Sequence, residues 1–271
     1  MVSDNKSIWL GEKGRAFFQK AMWATIAIFF ILAVWVVLGE LVFGLGIELR
    51  TILHPATNIH VLLTLIAGAT AILVSSIYFS DFKGAIEPEP DGFFDIISLV
   101  LARLTMIAIV FILCIMLYEV VLRYLFNKPT LWANELSLWI AGFVFLLAGL
   151  YAMQQRSHIR IYIIYDMMPR WAQKASDTLS VALIWVFTIS LIWGSYNEAR
   201  DKFFRWETFG TAWDPPLPAT IKPAILLFIL LVAIQALSNL IADWNKEPES
   251  HTPLDDIDET EIEQIRKVIE D

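Results

Sequence analysis

Residues 123–139 read RYLFNKPTLWANELSLW, and this polar run lies between two apolar stretches, 99–122 and 136–153. Crossing the hydrocarbon core of a bilayer takes roughly 20 apolar residues in a helix, because backbone polar groups in lipid must be satisfied within the segment. Each flanking stretch is close to that length. The run therefore predicts a tight turn between two membrane-spanning helices.

The composition extends this prediction to the whole chain. Its 271 residues are 57% hydrophobic and include 11 Trp and 18 Phe, more than a soluble core of this length needs. None of the apolar stretches alternates with the period of two expected of a barrel strand. We expect an all-α integral membrane fold with about six transmembrane helices, at 22–43, 59–79, 99–122, 136–153, 179–196 and 221–242.

The first apolar stretch follows Lys13, Arg15 and Lys20, a pattern that signal peptides share. It is longer than a typical signal-peptide core, and no convincing cleavage site follows Phe43, so we expect a retained anchor. The distribution of basic residues, with six spans, places both termini in the cytoplasm.

The apolar stretches and the composition between them divide the chain into four predicted segments. Residues 1–79 form an amino-terminal extension with two spans, and residues 80–95 form an acidic, proline-containing cytoplasmic linker. Residues 96–244 form a four-span module, and residues 245–271 form an acidic cytoplasmic tail. The tail carries apolar residues at loosely helical spacing, which fits a solvated helix or a docking helix for a partner.

The remaining polar residues exclude several functions. None of the four histidines, His54, His60, His158 and His251, lies in the middle of a predicted span, which excludes intramembrane haem. No zinc-ligand spacing, GxSxG or phosphate-binding loop occurs, so we expect no enzyme, cofactor, catalytic or metal site, and no nucleic-acid partner. The third to sixth spans show no obvious break or deep charge of the kind that carriers use.

The polar run itself predicts a compact turn. Glu119 and Arg123 are four residues apart and share a helix face, so we expect an ion pair. The proline of 127–129 should end the helix, and Thr130 should cap the next one. One face of that helix then carries Trp132, Glu135 and Trp139, which also fits a simple aromatic anchor at the membrane surface.

Taken together, RYLFNKPTLWANELSLW resembles the signature of the small membrane subunit of TRAP transporters (tripartite ATP-independent periplasmic transporters). The stretches RSHIRIYIIYDMMP at 156–169 and TAWDPPLPATIKPAILLFILLVAIQAL at 211–237 resemble two further motifs of that family, in the expected order. Tyr162 stands where the family often has Asp. The matching positions are Arg123, Tyr124, Asn127, Trp132, Glu135, His158, Arg160, Trp213, Pro215, Pro216 and Gln235.

This resemblance implies a non-catalytic subunit of the bacterial inner membrane. The implied partners are a large sodium-coupled membrane subunit that moves by an elevator mechanism, a periplasmic substrate-binding protein and membrane lipids. The implied role is a scaffold in the uptake of carboxylate-type solutes. The alternative is a stand-alone membrane adaptor or assembly protein that recruits a soluble partner through its acidic tail.

Three sets of residues are candidates for contacts. The predicted outer loop 196–220 mixes charge with aromatic rings, which fits a contact with the binding protein or with lipid phosphates. Small residues in the fourth span fit a partner interface or internal packing. His158 and Arg160 fit a lipid or partner contact, or ordinary positive-inside anchoring. The loop candidates are Arg200, Lys202, Phe204, Arg205 and Trp206, and the small residues are Ala141, Gly142, Ala148 and Gly149.

Overall fold

Six long helices make up the computed structural model, which describes residues 7–44, 49–53, 57–82, 84, 87, 90, 92–155, 165 and 167–245. Each is long and apolar enough to cross a membrane, which confirms the all-α membrane fold. A short 3₁₀ helix, Leu49–Leu53, lies between the first two. The helices are α1 Gly11–Phe43, α2 Ile59–Ser80, α3 Phe93–Leu125, α4 Ala133–Gln154, α5 Arg170–Phe204 and α6 Leu217–Asp243.

All six helices are longer than the predicted spans, and three of them are much longer. Helices α1 and α3 have 33 residues and α5 has 35, so each is about 50 Å long and exceeds the hydrocarbon core of about 30 Å. Two predicted boundaries were therefore wrong. Residues 93–95 of the linker belong to α3. The predicted outer loop 196–220 is shorter, at 205–216, because α5 continues to Phe204 and α6 begins at Leu217.

The helix ends show which capping predictions hold. Helix α3 ends at Leu125, before Pro129, as predicted. Thr130 does not cap α4: the helix begins at Ala133 after Trp132, which makes no side-chain capping bond. Helix α2 has the capping residue that the sequence analysis missed, because the Asn58 side chain accepts hydrogen bonds from the N–H groups of His60 and Val61.

Pro223 lies inside α6. The prediction that the third to sixth spans contain no break did not take this proline into account. A proline has no N–H to give to the carbonyl four residues earlier, here that of Ala219. The helix nevertheless continues to Asp243. The loss of one backbone hydrogen bond near the start of α6 does not create the broken helix that carriers use.

The helices lie side by side in a row whose order is α1, α2, α3, α4, α6, α5. The two-helix extension joins the other four through contacts between α2 and α3, and α4 packs against both α3 and α6. Helices α1 and α5 therefore form the two edges of the row. Both expose large apolar side chains, for example Trp23 on α1 and Trp193 on α5.

We refer to the two ends of the row by the loops that they carry. The hairpin side has residues 126–132, between α3 and α4, and residues 205–216, between α5 and α6. The terminal side has the start of α1, the segment between α2 and α3, and the end of α6.

Candidate functional site: polar clusters at both ends of the helix row

Glu119 organises the turn between α3 and α4 on the hairpin side. Its carboxylate accepts hydrogen bonds from Arg123 Nε at 3.1 Å and Nη2 at 2.6 Å, so the predicted ion pair is confirmed. The second oxygen accepts from the Thr130 backbone N–H at 3.0 Å and from its hydroxyl group. Glu119 is only 2% exposed, which means that the turn is closed over a buried carboxylate rather than left as a solvated loop.

Asn127 completes this turn in a left-handed conformation, with a φ of 51°. Asn adopts this conformation more readily than most other non-glycine residues. The Lys128 N–H then bonds to the carbonyl of Leu122 at 3.0 Å and satisfies one of the last helical acceptors of α3. Tyr124 projects outward at 74% exposure, so the structure places it away from the other motif residues.

Glu135 joins the first sequence motif, residues 123–139, to the third, residues 211–237. Its carboxylate accepts hydrogen bonds from the backbone N–H groups of Trp213 and Asp214, both at 3.2 Å. One turn further along α4, the indole N–H of Trp139 donates to the Thr220 hydroxyl at 2.8 Å. The loop before α6 is thereby fixed to the start of α4.

The loop that Glu135 holds is itself tightly folded. Pro215 and Pro216 are almost fully buried, and Trp213 is 7% exposed. Asp214 has a φ of 61°, and its side chain accepts from the Gly210 N–H at 2.7 Å. The Trp-x-Pro-Pro motif therefore packs inside the chain, and its residues present little surface to a partner.

Gln235 forms the centre of a buried polar cluster towards the terminal side. Its carbonyl oxygen accepts from the Ser98 hydroxyl at 2.9 Å, and its amide donates to Asp95 at 2.6 Å. The same amide donates to Asn239 at 2.9 Å, and Asn239 donates to the carbonyl of Met153 at 2.7 Å. The cluster links α3, α4 and α6. Of this cluster only Gln235 was singled out from the sequence, because its hydrogen-bond partners Ser98 and Asp95 come from a distant segment.

Glu87 forms a second cluster on the terminal side, which the sequence analysis missed. Its carboxylate accepts from Arg103 at 2.8 Å, from the Tyr151 hydroxyl at 2.7 Å and from the Gly84 N–H at 2.8 Å. Arg103 also donates to the backbone carbonyls of Phe79 and Phe82. We call this group the Glu87 clamp, and it ties the end of α2 and the linker to α3 and α4.

The clamp keeps Glu87 charged. Burial acts to raise the pKa of the carboxyl, but the hydrogen bonds from Arg103, Tyr151 and Gly84, together with the charge of Arg103, outweigh it and lower the pKa. A buried carboxylate with this many donors is a structural anchor. Its oxygens are already occupied by hydrogen-bond donors of the same chain.

Asp81 holds the start of α1 against the end of α2. One carboxylate oxygen accepts from the Ser7 hydroxyl at 2.9 Å and from the backbone N–H groups of Ile8, Trp9 and Leu10, each at 3.0 Å. Arg15 lies 3.4 Å from the other oxygen. The carboxylate therefore caps the positive end of α1, although it comes from another helix.

The candidates for a binding-protein contact lie together on the hairpin side. Arg200 pairs with Asp201 at 3.0 Å, and Lys202 pairs with Glu207 at 2.7 Å. A third pair joins Lys222 of α6 to Glu198. Arg200, Phe204, Arg205 and Trp206 are exposed, so the end of α5 carries a mixed aromatic and basic surface that remains accessible.

The small residues of α4 divide into two groups. A Cβ atom added to Gly142 would lie 2.8 Å from the Cδ1 atom of Ile221, so this glycine serves the packing of α4 on α6. A Cβ atom added to Gly149 would meet nothing within 4 Å, and Ala148 beside it is exposed. His158 and Arg160 lie outside the described residues.

No group of three or more His, Cys, Asp or Glu side chains that could hold a metal ion occurs within the described ranges. The polar clusters consist of ion pairs and amides whose donors and acceptors serve one another. Such an arrangement fixes helices in place.

The family comparison concerns the second half of the chain. Residues 112–246 match the family model described as tripartite ATP-independent periplasmic transporters, DctQ component. The match begins within α3 and continues past the end of α6. Helices α1 and α2 lie outside it.

Two relatives from Vibrio cholerae illustrate the similarity. The C4-dicarboxylate TRAP transporter small permease protein DctQ is 26% identical over 142 residues, which cover 50% of this chain and 51% of the relative. The sialic acid TRAP transporter small permease protein SiaQ is 25% identical over 100 residues, which cover 36% of this chain and 58% of the relative. The chain thus spans little more than half the length of the curated relatives that it matches. No solved structure gives a significant match.

Proposed function

The chain belongs, through residues 112–246, to the DctQ family of small membrane subunits of TRAP transporters, and from this premise we propose that it is a static scaffold. It supports a large sodium-coupled membrane subunit, which carries the substrate and ion sites and moves against it. A periplasmic binding protein delivers a carboxylate-type solute. The assembly lies in the bacterial inner membrane, with the hairpin side facing the periplasm.

The main support for this proposal is the set of contacts made by the motif residues Glu135 and Gln235 and by Glu119, which lies just before the first motif. Glu119, Glu135 and Gln235 belong to different helices, and each makes hydrogen bonds to another segment of the same chain. A carrier needs polar groups that are free to bind its substrate. A scaffold needs helices that keep their relative positions while a neighbour moves, and these contacts supply that rigidity.

Names of relatives support the proposed substrate class. One relative is named for C4-dicarboxylates and the other for sialic acid, and both kinds of solute carry carboxylates. A scaffold does not touch the solute in this proposal. The identity of the solute is therefore a property of the partners.

The large subunit contacts the exposed small residues of α4 in this proposal. Gly149 and Ala148 leave an open surface at which a partner helix can approach closely, and small residues favour such approach in membranes. Gly142 is excluded from this role because it already packs against Ile221.

The binding protein contacts the hairpin side, at the exposed end of α5. Arg200 and Arg205 are exposed basic residues there. Reversing both to Glu is expected to lower solute uptake several-fold without changing the amount of assembled complex in the membrane. Unchanged uptake would place the docking surface elsewhere. The matched control is reversal of the charge of Lys20, which lies on the terminal side.

Affinity purification tests the proposal as a whole. The chain is tagged at its carboxyl terminus in its native host, solubilised in a mild detergent and purified. We expect a stoichiometric, polytopic membrane partner, and sodium-driven uptake when the pair is reconstituted with a binding protein. A Gly149→Trp variant is expected to lose the partner, whereas Gly194→Trp, at an equally open position on α5, is expected to keep it.

The adaptor function gives a different result in the same experiment. Recovery of the chain with soluble proteins alone, which are lost when residues 246–271 are removed, would support the adaptor and contradict the scaffold. Recovery of the polytopic partner after the same truncation would support the scaffold.

A further inference from the structure

A groove of about 600 Å³ opens between the start of α5 and the end of α6 on the terminal side. Along α5 it is lined by Ala175, Thr178, Leu179 and Ala182, and its terminal end, which we call the mouth, is lined by Trp171, Lys174 and Trp244. The groove lies at the edge of the helix row, on a helix whose apolar side chains are largely exposed.

The α5 side of the groove is apolar although it contains a threonine. Ala175, Thr178 and Ala182 recur at intervals of three and four residues, so they share one face of α5. The Thr178 hydroxyl donates to the carbonyl of Lys174 at 2.7 Å, which satisfies its polar atom within the helix. An open, apolar trough lined by methyl groups results, and such a surface fits a hydrocarbon chain.

Lys174 supplies a positive charge at the mouth of the trough. Its Nζ atom lies 4.9 Å from the centroid of the Trp244 ring. Among the described residues it makes this cation–π contact and no ion pair. Tryptophan and lysine at the end of a spanning helix are typical of the headgroup level of a bilayer.

The depth of Lys174 in the membrane follows from the length of α5. Arg200, on the hairpin side of the same helix, is 26 positions further along the chain. At about 1.5 Å per residue, the two lie roughly 39 Å apart along the helix axis. That distance is close to the thickness of about 40–45 Å of a bilayer with its headgroups, so Lys174 lies at the level of the lipid phosphates.

We propose that this groove is a binding site for one anionic glycerophospholipid. The ammonium group of Lys174 binds the phosphate, the indoles of Trp171 and Trp244 flank the glycerol region, and one acyl chain lies along Ala175, Thr178 and Ala182. The choice of a lipid over a partner helix rests on charge and depth. A cation at phosphate level beside an apolar trough complements both parts of a phospholipid.

Native mass spectrometry of the full chain in detergent micelles tests this site, with phosphatidylglycerol as the probe. We expect one retained phosphatidylglycerol per chain, held more strongly than phosphatidylcholine. Lys174→Glu is expected to weaken retention at least about fivefold, since one basic residue near an anionic lipid surface contributes about that factor. Lys174→Arg is expected to keep it.

Two further variants separate the groove from general charge effects. Ala182→Phe fills the trough and is expected to weaken retention, whereas Lys20→Glu reverses an exposed charge on α1, away from the groove, and is expected to leave it unchanged. Equal losses in Lys174→Glu and Lys20→Glu would overturn the proposal. So would efficient cross-linking of Thr178→Cys to a co-purified polytopic subunit, because a partner helix would then occupy the groove.

Discussion

Removal of the hydroxyl group of Tyr151 should weaken the Glu87 clamp by a measurable and limited amount. The hydroxyl donates to Glu87 at 2.7 Å, and Glu87 is 7% exposed. A hydrogen bond to a charged group contributes about 1.5–3 kcal/mol. Because Arg103 and the Gly84 N–H remain as donors in Tyr151→Phe, we expect a loss of about 1.5 kcal/mol, at the lower end of that range.

Glu87→Gln should cost more, because it leaves Arg103 without its counter-charge. Breaking a buried ion pair by removing one partner costs about 3–5 kcal/mol. The Arg103 side chain is 12% exposed and keeps the carbonyls of Phe79 and Phe82, so we expect about 3 kcal/mol. The double variant should cost less than the sum of the two, since both changes remove the same contact.

The assay is equilibrium unfolding of the full chain in dodecyl maltoside micelles by titration with sodium dodecyl sulfate, followed by tryptophan fluorescence. Tyr196→Phe, at an exposed tyrosine of α5, is the matched control. The reasoning would be refuted if Tyr151→Phe cost no more than Tyr196→Phe, or if the two clamp variants were strictly additive.

The dependence of the clamp on pH has a definite sign. The pKa of Glu87 is lower in the folded chain than its ordinary value of 4.5, so the unfolded chain binds the proton first as the pH falls. The contribution of the clamp is complete above pH 4.5 and declines as the pH falls through the lower, folded pKa. The stability difference between the native chain and Glu87→Gln should therefore shrink in acid and stay constant from pH 6 to 8.

Three further changes test other contacts, the first two by the same unfolding assay and the third by limited proteolysis. Glu135→Ala leaves two backbone N–H groups without their acceptor and should cost about 2–4 kcal/mol, whereas a loss below about 0.5 kcal/mol would remove Glu135 as the anchor of its loop. Gly142→Leu should cost about 1–3 kcal/mol through overpacking, and the open Gly149→Leu should cost less than half as much; equal costs would contradict the assignment of Gly142 to internal packing. Asp81→Ala should release the segment before α1, measured as faster limited proteolysis near residues 7–10, and an unchanged rate would contradict the capping role.

Local sequence signals predicted the helices well, since a run of roughly 20 apolar residues in lipid has few alternatives to a helix. The ion pair of Glu119 and Arg123 was equally predictable from the sequence, because the i,i+4 spacing depends on helix geometry alone. The prediction that Thr130 caps α4 was wrong because of a tertiary contact. Its hydroxyl and N–H bind the buried carboxylate of Glu119, eleven positions earlier, and this contact replaces the local cap.

Contacts between distant segments could not be predicted from the sequence. Gln235 reaches Asp95 across 140 positions, and Glu135 reaches Trp213 across 78. Neither distance has a periodicity that a single sequence would reveal. Glu87 lies in the stretch that was predicted to be an acidic, proline-containing linker, although its carboxylate accepts hydrogen bonds from Gly84, Arg103 and Tyr151.

The Glu87 clamp and the other polar contacts contribute a larger share of the attraction between helices in a membrane than they would in water. Lipid chains are as apolar as leucine, so burial of apolar surface does little to hold membrane helices together. The lateral order of the row then depends on close packing and on the polar contacts near its ends. The Glu87 clamp adds to the packing of α2 on α3, because it ties the end of α2 and the linker to Arg103 of α3 and Tyr151 of α4. A chain shortened to residues 92–271 would leave Arg103 without Glu87 and without the carbonyls of Phe79 and Phe82, so we expect it to be less stable than the full chain.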